Sequence, residues 1–206
     1  MEKVKLKFYS IDKCGYYKYN SDDAHLTNVA DVLEDLKDWI KDKTLQQTQT
    51  TGILSAISER LPIYCVNVTK STLHNTYLLV TWNKSESVGG NISSIHKDEL
   101  VNRVASNVTS TGLPTDHIPG YATYFWFIPE DNILATVRFN HASNGHIGMN
   151  YYLKGFLSRF SKYVNKVEDK ENKGHFEVEG YCRKGDKTDE SLHPYFNSTL
   201  KKLSGK

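Results

Sequence analysis

Cysteine, methionine and long apolar runs are scarce in this chain, and each shortage removes a class of protein. The three cysteines, Cys14, Cys65 and Cys182, stand far apart with no Cys-x-x-Cys pair. An odd, dispersed set argues against a disulfide framework or a zinc knuckle and reads as reduced structural thiols. No stretch approaches the roughly 20 apolar residues that cross a bilayer. The opening run Met1-Glu-Lys-Val-Lys-Leu-Lys-Phe-Tyr9 alternates charge with apolar residues, which suits a strand and not a signal peptide. The expected location is therefore the cytoplasm, without membrane insertion. No G-x-S-x-G, Walker, G-x-G-x-x-G or H-E-x-x-H pattern occurs, so the usual hydrolase and nucleotide-binding signatures fail, and no catalytic residue, metal or cofactor is assigned.

What is present is a globular composition. With 206 residues, 12% aromatic side chains and a mean hydropathy of −0.54, the chain can bury a core without staples. The pattern predicts α+β: an antiparallel sheet built from hairpins, with helices packed mainly on one face. Residues 1–170 form the expected core domain. Residues 171–206 supply a C-terminal strand and a basic tail, packed on the core or extending from it.

The chain is organised around His117 to Val167. Tyr121–Ile128, the turn Pro129-Glu-Asp-Asn132 and Ile133–Phe139 predict a central hairpin, both of whose runs look buried. A polar loop, 140–148, then leads to an amphipathic helix from about Met149 to Val167, capped by Ser143 or Asn144. Gly155 on this helix costs about 1 kcal/mol against Ala and suggests close approach of a neighbouring backbone.

Upstream, Val4, Leu6 and Phe8 alternate with Lys3, Lys5 and Lys7, which predicts a half-buried strand with the lysines outside. The turn 12–15 and Tyr16–Tyr19 would complete an opening hairpin. Thr27 or Asn28 can cap a helix through about Asp42 with an acidic outer face that includes Asp35. Ile63–Val68 and Tyr77–Trp82 read as a second hairpin, and 98–107 as a short helix. His175–Cys182 alternates as a strand, and 191–206 suits a frayed basic helix.

Net charge is only +2, but it is unevenly spread. Between Asn132 and Val167 lie Arg138, Lys154, Arg159, Lys162 and Lys166 with no Asp or Glu. A basic helix face free of acids suits a track of phosphates. His141 lies just before, and His146 within, a helix-entry segment, Ser143–Gly148, whose free backbone N–H groups suit an anion. They read as loop histidines or anion contacts, since a metal would want a third ligand. The candidate nucleic-acid contacts are thus Arg138, His141, His146, Lys154, Arg159, Lys162 and Lys166. The paired carboxylates Asp22-Asp23, Glu34-Asp35 and Glu130-Asp131 read as solvated.

The strand Phe8-Tyr9, the following helix, Ile63-Tyr-Cys65 with Tyr77–Trp82, and the hairpin Pro119-Gly120…Tyr124-Phe-Trp-Phe127…Ile133…Thr136-Val-Arg138 together resemble the RexA-like exclusion proteins of lambdoid phages. The resemblance spans about residues 3–160. It implies a phage-defence role in abortive infection: a sensor that binds DNA without sequence preference, self-associates as in a homodimer, and signals to a partner. The chain departs from that family in being shorter, ending soon after Phe196. Two alternatives stand beside it. One is a protein-interaction module of a phage or toxin-related system, using the aromatic surface and the acidic helix. The other is a nucleic-acid-processing enzyme using His141 or His146 beside a carboxylate from elsewhere.

Overall fold

Runs of β-branched and aromatic residues broken by Gly, Pro and Asn clusters favour strands. Strands dominate the computed structural model, which describes residues 3–51, 61–86, 93–101, 107–110, 114–139, 143–169 and 176–201. The architecture is α+β and mostly antiparallel. In chain order the elements are β1 (Val4–Lys18), α1 (Val29–Ile40), β2 (Ile63–Lys70), β3 (Tyr77–Lys84), β4 (Ser94–His96), β5 (His117–Ile128), β6 (Ile133–Phe139), α2 (His146–Arg159), β7 (Val164–Glu168), β8 (Phe176–Tyr181) and β9 (Leu192–Leu200). The main sheet runs β2-β3-β5-β6-β1-β9, with β4 paired to β5, while β7 and β8 form a separate ribbon.

The two central hairpins form as their sequences predict, β2 with β3 and β5 with β6. Asn132, the residue that turns the chain into β6, adopts the left-handed conformation (φ 50°), which Asn tolerates better than most residues. Asn28 caps α1 by accepting from the Asp31 amide, and Val32, Leu33, Leu36 and Ile40 are buried at helical spacing.

Four expectations are corrected. β1 is a single long strand, not a hairpin: a bulge between Ile11 and Lys13 takes up one residue, and the strand continues against β9. The C-terminal segment is that strand, not a helix; Pro194 is accommodated because β9 lies at the edge of the sheet, where a missing N–H is tolerated. Helix α2 stops at Arg159. Asp35 is buried, not outward, and its carboxylate accepts from Ser161 Oγ at 2.6 Å and from the Lys162 amide at 3.1 Å, so the chain turns there and enters β7. Of the predicted helix at 98–107, residues 102–106 lie outside the described residues, and before them Leu100 pairs with Thr44 in an antiparallel bridge instead.

Antiparallel register assigns each strand residue a face. Tyr9, Leu134, Phe127 and Tyr77 lie side by side, as do Thr136, Phe125 and Leu79. Most of these join Val32, Leu33 and Leu36 of α1 and Met149, Leu153 and Phe156 of α2 in one buried cluster. The opposite face carries the rows Phe8–Ala135–Trp126–Leu78 and Leu6–Val137–Tyr124–Val80, with Val4 beside Phe139. No residue in those rows is charged. The β1 alternation is therefore inverted from expectation: Val4 and Leu6 are exposed, and Lys5 and Lys7 share the face of Tyr9.

Candidate nucleic-acid interface

Toward one end of the sheet the core face changes character. Leu79, Phe125 and Phe127 give way to Thr81, Thr123, Thr136 and Asn83, all buried. Polar side chains on the inward phase of a sheet cost free energy unless paired, so this change marks a place where packing alone did not choose the residues. Thr81 and Thr123 share a hydroxyl hydrogen bond of 2.7 Å, and Asn83 Nδ2 donates to Thr123 Oγ1 at 2.9 Å. No described residue donates to Asn83 Oδ1, and Thr136 Oγ1 is buried without a partner.

Above this floor opens a cleft of about 760 Å³, walled by Lys7 and Tyr9 of β1, Asn83 and Lys84 of β3, Tyr121 of β5, Tyr151 of α2 and the segment Ser143–Gly148. That volume is in the range of small-ligand sites. Gly145 makes the arrangement possible. Its φ of +64° is left-handed, and a Cβ there would lie 2.7 Å from the Thr123 side chain, so only glycine lets the start of α2 rest on the floor. No side chain caps α2, which leaves its first amides turned toward the cleft end.

The His146 ring stacks on Tyr9 with centroids 3.8 Å apart. Ser198 Oγ donates to Asn150 Oδ1 at 3.2 Å and meets His146 Nε2 at 2.8 Å. Having spent its one proton, the hydroxyl must accept from Nε2–H, which leaves Nδ1 as the bare acceptor of a neutral ring. Burial, and then the Lys7 ammonium, hold the His146 pKa below its ordinary 6.5. Asn144 Nδ2 donates to the Tyr9 hydroxyl at 2.9 Å, and Asn144 Oδ1 is buried with no partner.

The cleft therefore presents donors and a positive field (α2 amides, Lys7, Lys84) beside Asn144 Oδ1, buried without a partner, and Asn83 Oδ1, to which no described residue donates. Among the described residues its walls include no carboxylate, and neither Lys7 nor Lys84 is in an ion pair. Arg138 is paired in register with Lys5 on the same face. A ligand suited to this set carries an anionic group together with N–H or O–H donors.

The sequence-derived candidates are distributed differently from expectation. His146 lines the cleft, and Arg138 lies beside Lys5 on the same sheet face. His141 lies outside the described residues. Lys154 is exposed on α2; Arg159 ends α2 partly buried near Tyr181; Lys162 lies in the following turn with Nζ over the Tyr163 ring; Lys166 is on β7 with Nζ 5.5 Å from the Phe160 ring centre. They do not form a stripe on one helix. Lys162 instead joins Arg183 and Lys184 around a second depression, whose walls also include Asp186. Sequence reasoning missed Lys7, Lys84, Asn83 and the threonines; the signal available was the polar residues on the inward phase of β3 and β5. Among the described residues no three His, Cys, Asp or Glu side chains gather as a metal would require, and no helix is long and apolar enough to cross a membrane.

No protein-family model matches the chain, no curated protein matches it in sequence, and no solved structure matches it in fold.

Proposed function

We propose that the protein binds nucleic acid without reading its sequence, and that the cleft at the start of α2, not the back of that helix, is where a strand is held. The observation that carries this reading is a lysine-flanked cleft, with no carboxylate among its described residues, over a buried polar floor and beside the unpaired Asn144 Oδ1. Phosphates match the α2 amides, Lys7 and Lys84, and base or sugar donors match Asn83 and Asn144. Tyr121 and Tyr151, each more than a third exposed, offer rings on which a splayed base can stack, as single-stranded binders do. In this reading α1 and α2 pack mainly on the cleft side of the sheet, and Lys5 and Arg138 extend the phosphate track. The enzyme alternative has less support, because among the described residues no carboxylate lines the cleft beside His146, whose Nε2 is already engaged. A phage-exclusion role rests on the sequence resemblance alone.

The test is a fluorescence-anisotropy titration with single- and double-stranded DNA at two salt concentrations. Lys7→Glu with Lys84→Glu should weaken binding at least about tenfold for every sequence and reduce the salt slope by about 2. Arg159→Glu with Lys162→Glu should have the smaller effect. Equal affinity of wild type and the Lys7/Lys84 variant would reject the cleft. A larger loss in the Arg159/Lys162 variant would move the interface to the helix end.

A further inference from the structure

The sugar–phosphate backbone of DNA offers hydrogen-bond acceptors and no donors, yet the cleft holds acceptors of its own. Asn83 is 7% exposed and lines the cleft. Its neighbours fix the orientation of its amide. Nδ2 points to the Tyr121 carbonyl at 3.4 Å, which can only accept, and donates to Thr123 Oγ1 at 2.9 Å. Oδ1 is thereby turned away from both, and no described residue donates to it. It borders the first turn of α2, since a Cβ on Gly148 would lie 3.4 Å from it. Asn144, which lines the same cleft, spends Nδ2 on the Tyr9 hydroxyl and leaves Oδ1 without a partner. A buried carbonyl oxygen with no donor is costly, so a ligand that brings a donor to it gains by doing so.

We propose that the strand held in the cleft is RNA, and that Asn83 Oδ1, with Asn144 Oδ1 as a second acceptor, takes the proton of a ribose 2′-hydroxyl. The assignment depends on the cleft being where a strand lies, and it narrows the ligand to one sugar. A site that reads no base has to find its donors in the backbone. The phosphodiester and ring oxygens of DNA only accept, whereas each ribose adds a hydroxyl that donates, the group by which a protein tells RNA from DNA. The geometry agrees with this. The 2′-hydroxyl and the 3′-phosphate hang on adjacent carbons of one ribose. A phosphate on the first amides of α2 therefore brings its neighbouring hydroxyl to the first turn of that helix, where Asn83 Oδ1 lies. Lys7 and Lys84, on the walls of the same cleft, supply the counter-charge. The bases stay at the rim, where Tyr121 offers its ring to any of them.

Fluorescence anisotropy with oligouridylate and oligodeoxyuridylate, single strands of equal length that differ only at the 2′ carbon, tests this on the intact chain. The ribose strand should bind at least about fivefold tighter, the effect of one hydrogen bond whose acceptor is otherwise left unsatisfied. The 2′-O-methyl strand keeps the oxygen but has no proton to donate, and it should bind like the deoxyribose strand. Asn83→Ala should bring the ratio of ribose to deoxyribose affinity down toward one. Should that variant not fold, Asn144→Ala should lower the same ratio, and the 2′-O-methyl strand makes the comparison on the unaltered protein. Equal affinity for the ribose and deoxyribose strands, lost for both in the Lys7/Lys84 variant, would overturn the inference and leave the cleft reading intact. A ribose preference that survives 2′-O-methylation would overturn it too, since strand shape and not a donated proton would then be read. So would a preference set by the base at equal sugar. Binding indifferent to Lys7 and Lys84 would reject the cleft itself, and this inference with it.

Discussion

Replacing Gly155 by alanine tests the packing beneath the cleft, because helix propensity and tertiary contact oppose each other there. In an exposed helix the change stabilises by about 1 kcal/mol. At this position a Cβ would lie 2.5 Å from the carbonyl oxygen of Thr50 and 3.2 Å from its carbonyl carbon, and a backbone oxygen cannot rotate aside. Thr50 would have to withdraw by roughly 0.5 Å or more to restore ordinary contact. It is poorly placed to do so. Its Oγ1 donates to the Tyr152 carbonyl at 2.8 Å, and the buried Tyr152 hydroxyl donates to the Thr48 carbonyl at 2.9 Å. Thr48 Oγ1 in turn receives the Cys65 amide of β2 at 2.9 Å. Overpacking of this kind costs about 1–3 kcal/mol, and loosening one or two of these hydrogen bonds costs about 1 kcal/mol each. The net expectation is destabilisation by about 1–3 kcal/mol, or a fall in Tm of roughly 3–10 °C for a chain of this length. Urea unfolding followed by circular dichroism measures it as a lower midpoint at unchanged slope. A Gly155→Ala protein as stable as wild type, or more stable, would refute the argument that this contact is rigid.

Two pH-dependent predictions accompany it. Glu34 accepts from Lys70 Nζ and the Tyr77 hydroxyl, each at 2.9 Å, tying α1 to β2 and β3, and these partners with Lys37 hold its pKa down to about 2 from 4.5. A depressed carboxylate contributes stability that is present above 4.5 and lost as pH falls toward 2, here only about 1 kcal/mol because the cluster is partly exposed; Glu34→Gln should therefore lower Tm at neutral pH, with the difference shrinking over that window, and a pH-independent difference would contradict it. His146, depressed by burial and then Lys7, favours the fold while neutral, so its contribution is present above 6.5 and declines as pH falls through its lowered value. Its imidazole resonances should titrate below 6.5 and move upward in Lys7→Gln; titration at or above 6.5 in wild type would show that the ring is not held as described.

Local signals reached far along this chain where the determinants were themselves local. The Asn28 cap and the two central hairpins follow from residues within one turn or one strand pair, and Gly155 is conspicuous by its place in a helix although the backbone it meets, at Thr50, is remote in sequence. The end of α2 did not, because the group that stops it, Asp35, is 126 residues from Ser161 in sequence, and without it Val164 and Val167 continue the helical spacing. The cleft was hidden for the same reason. Lys7 and Lys84 line one cleft only because sheet order places β3 and β1 around β5 and β6, whereas a basic run in one helix is visible at once. The run was real in composition, but the turn at Ser161 distributes it over a helix, a turn and a strand.

β1 shows how one strand's phase decides which residues line the cleft and which face away from it. Its apolar residues fall on even positions at Val4, Leu6 and Phe8, on odd positions at Tyr9 and Ile11, and on even positions again at Cys14 and Tyr16. Two changes of phase occur, but only one is absorbed by backbone: the bulge after Ile11, where Asp12 is the extra residue and Thr199 Oγ1 donates to its carboxylate at 3.2 Å. That bulge keeps Ile11, Cys14 and Tyr16 all in the core. Between Phe8 and Tyr9 there is no bulge, since register with β6 is continuous from Val4 to Ser10. The even set must therefore face away from the core, and Lys5 and Lys7 must face toward the cleft. A one-residue slip would reverse both assignments, burying lysines against Phe125 and Leu134 and presenting Tyr9 outward. The pairing of Tyr9 with Leu134 prevents this, because Tyr9 is clamped by the His146 ring and by Asn144. The residue that completes the cleft wall thus also holds the apolar rows on the outside.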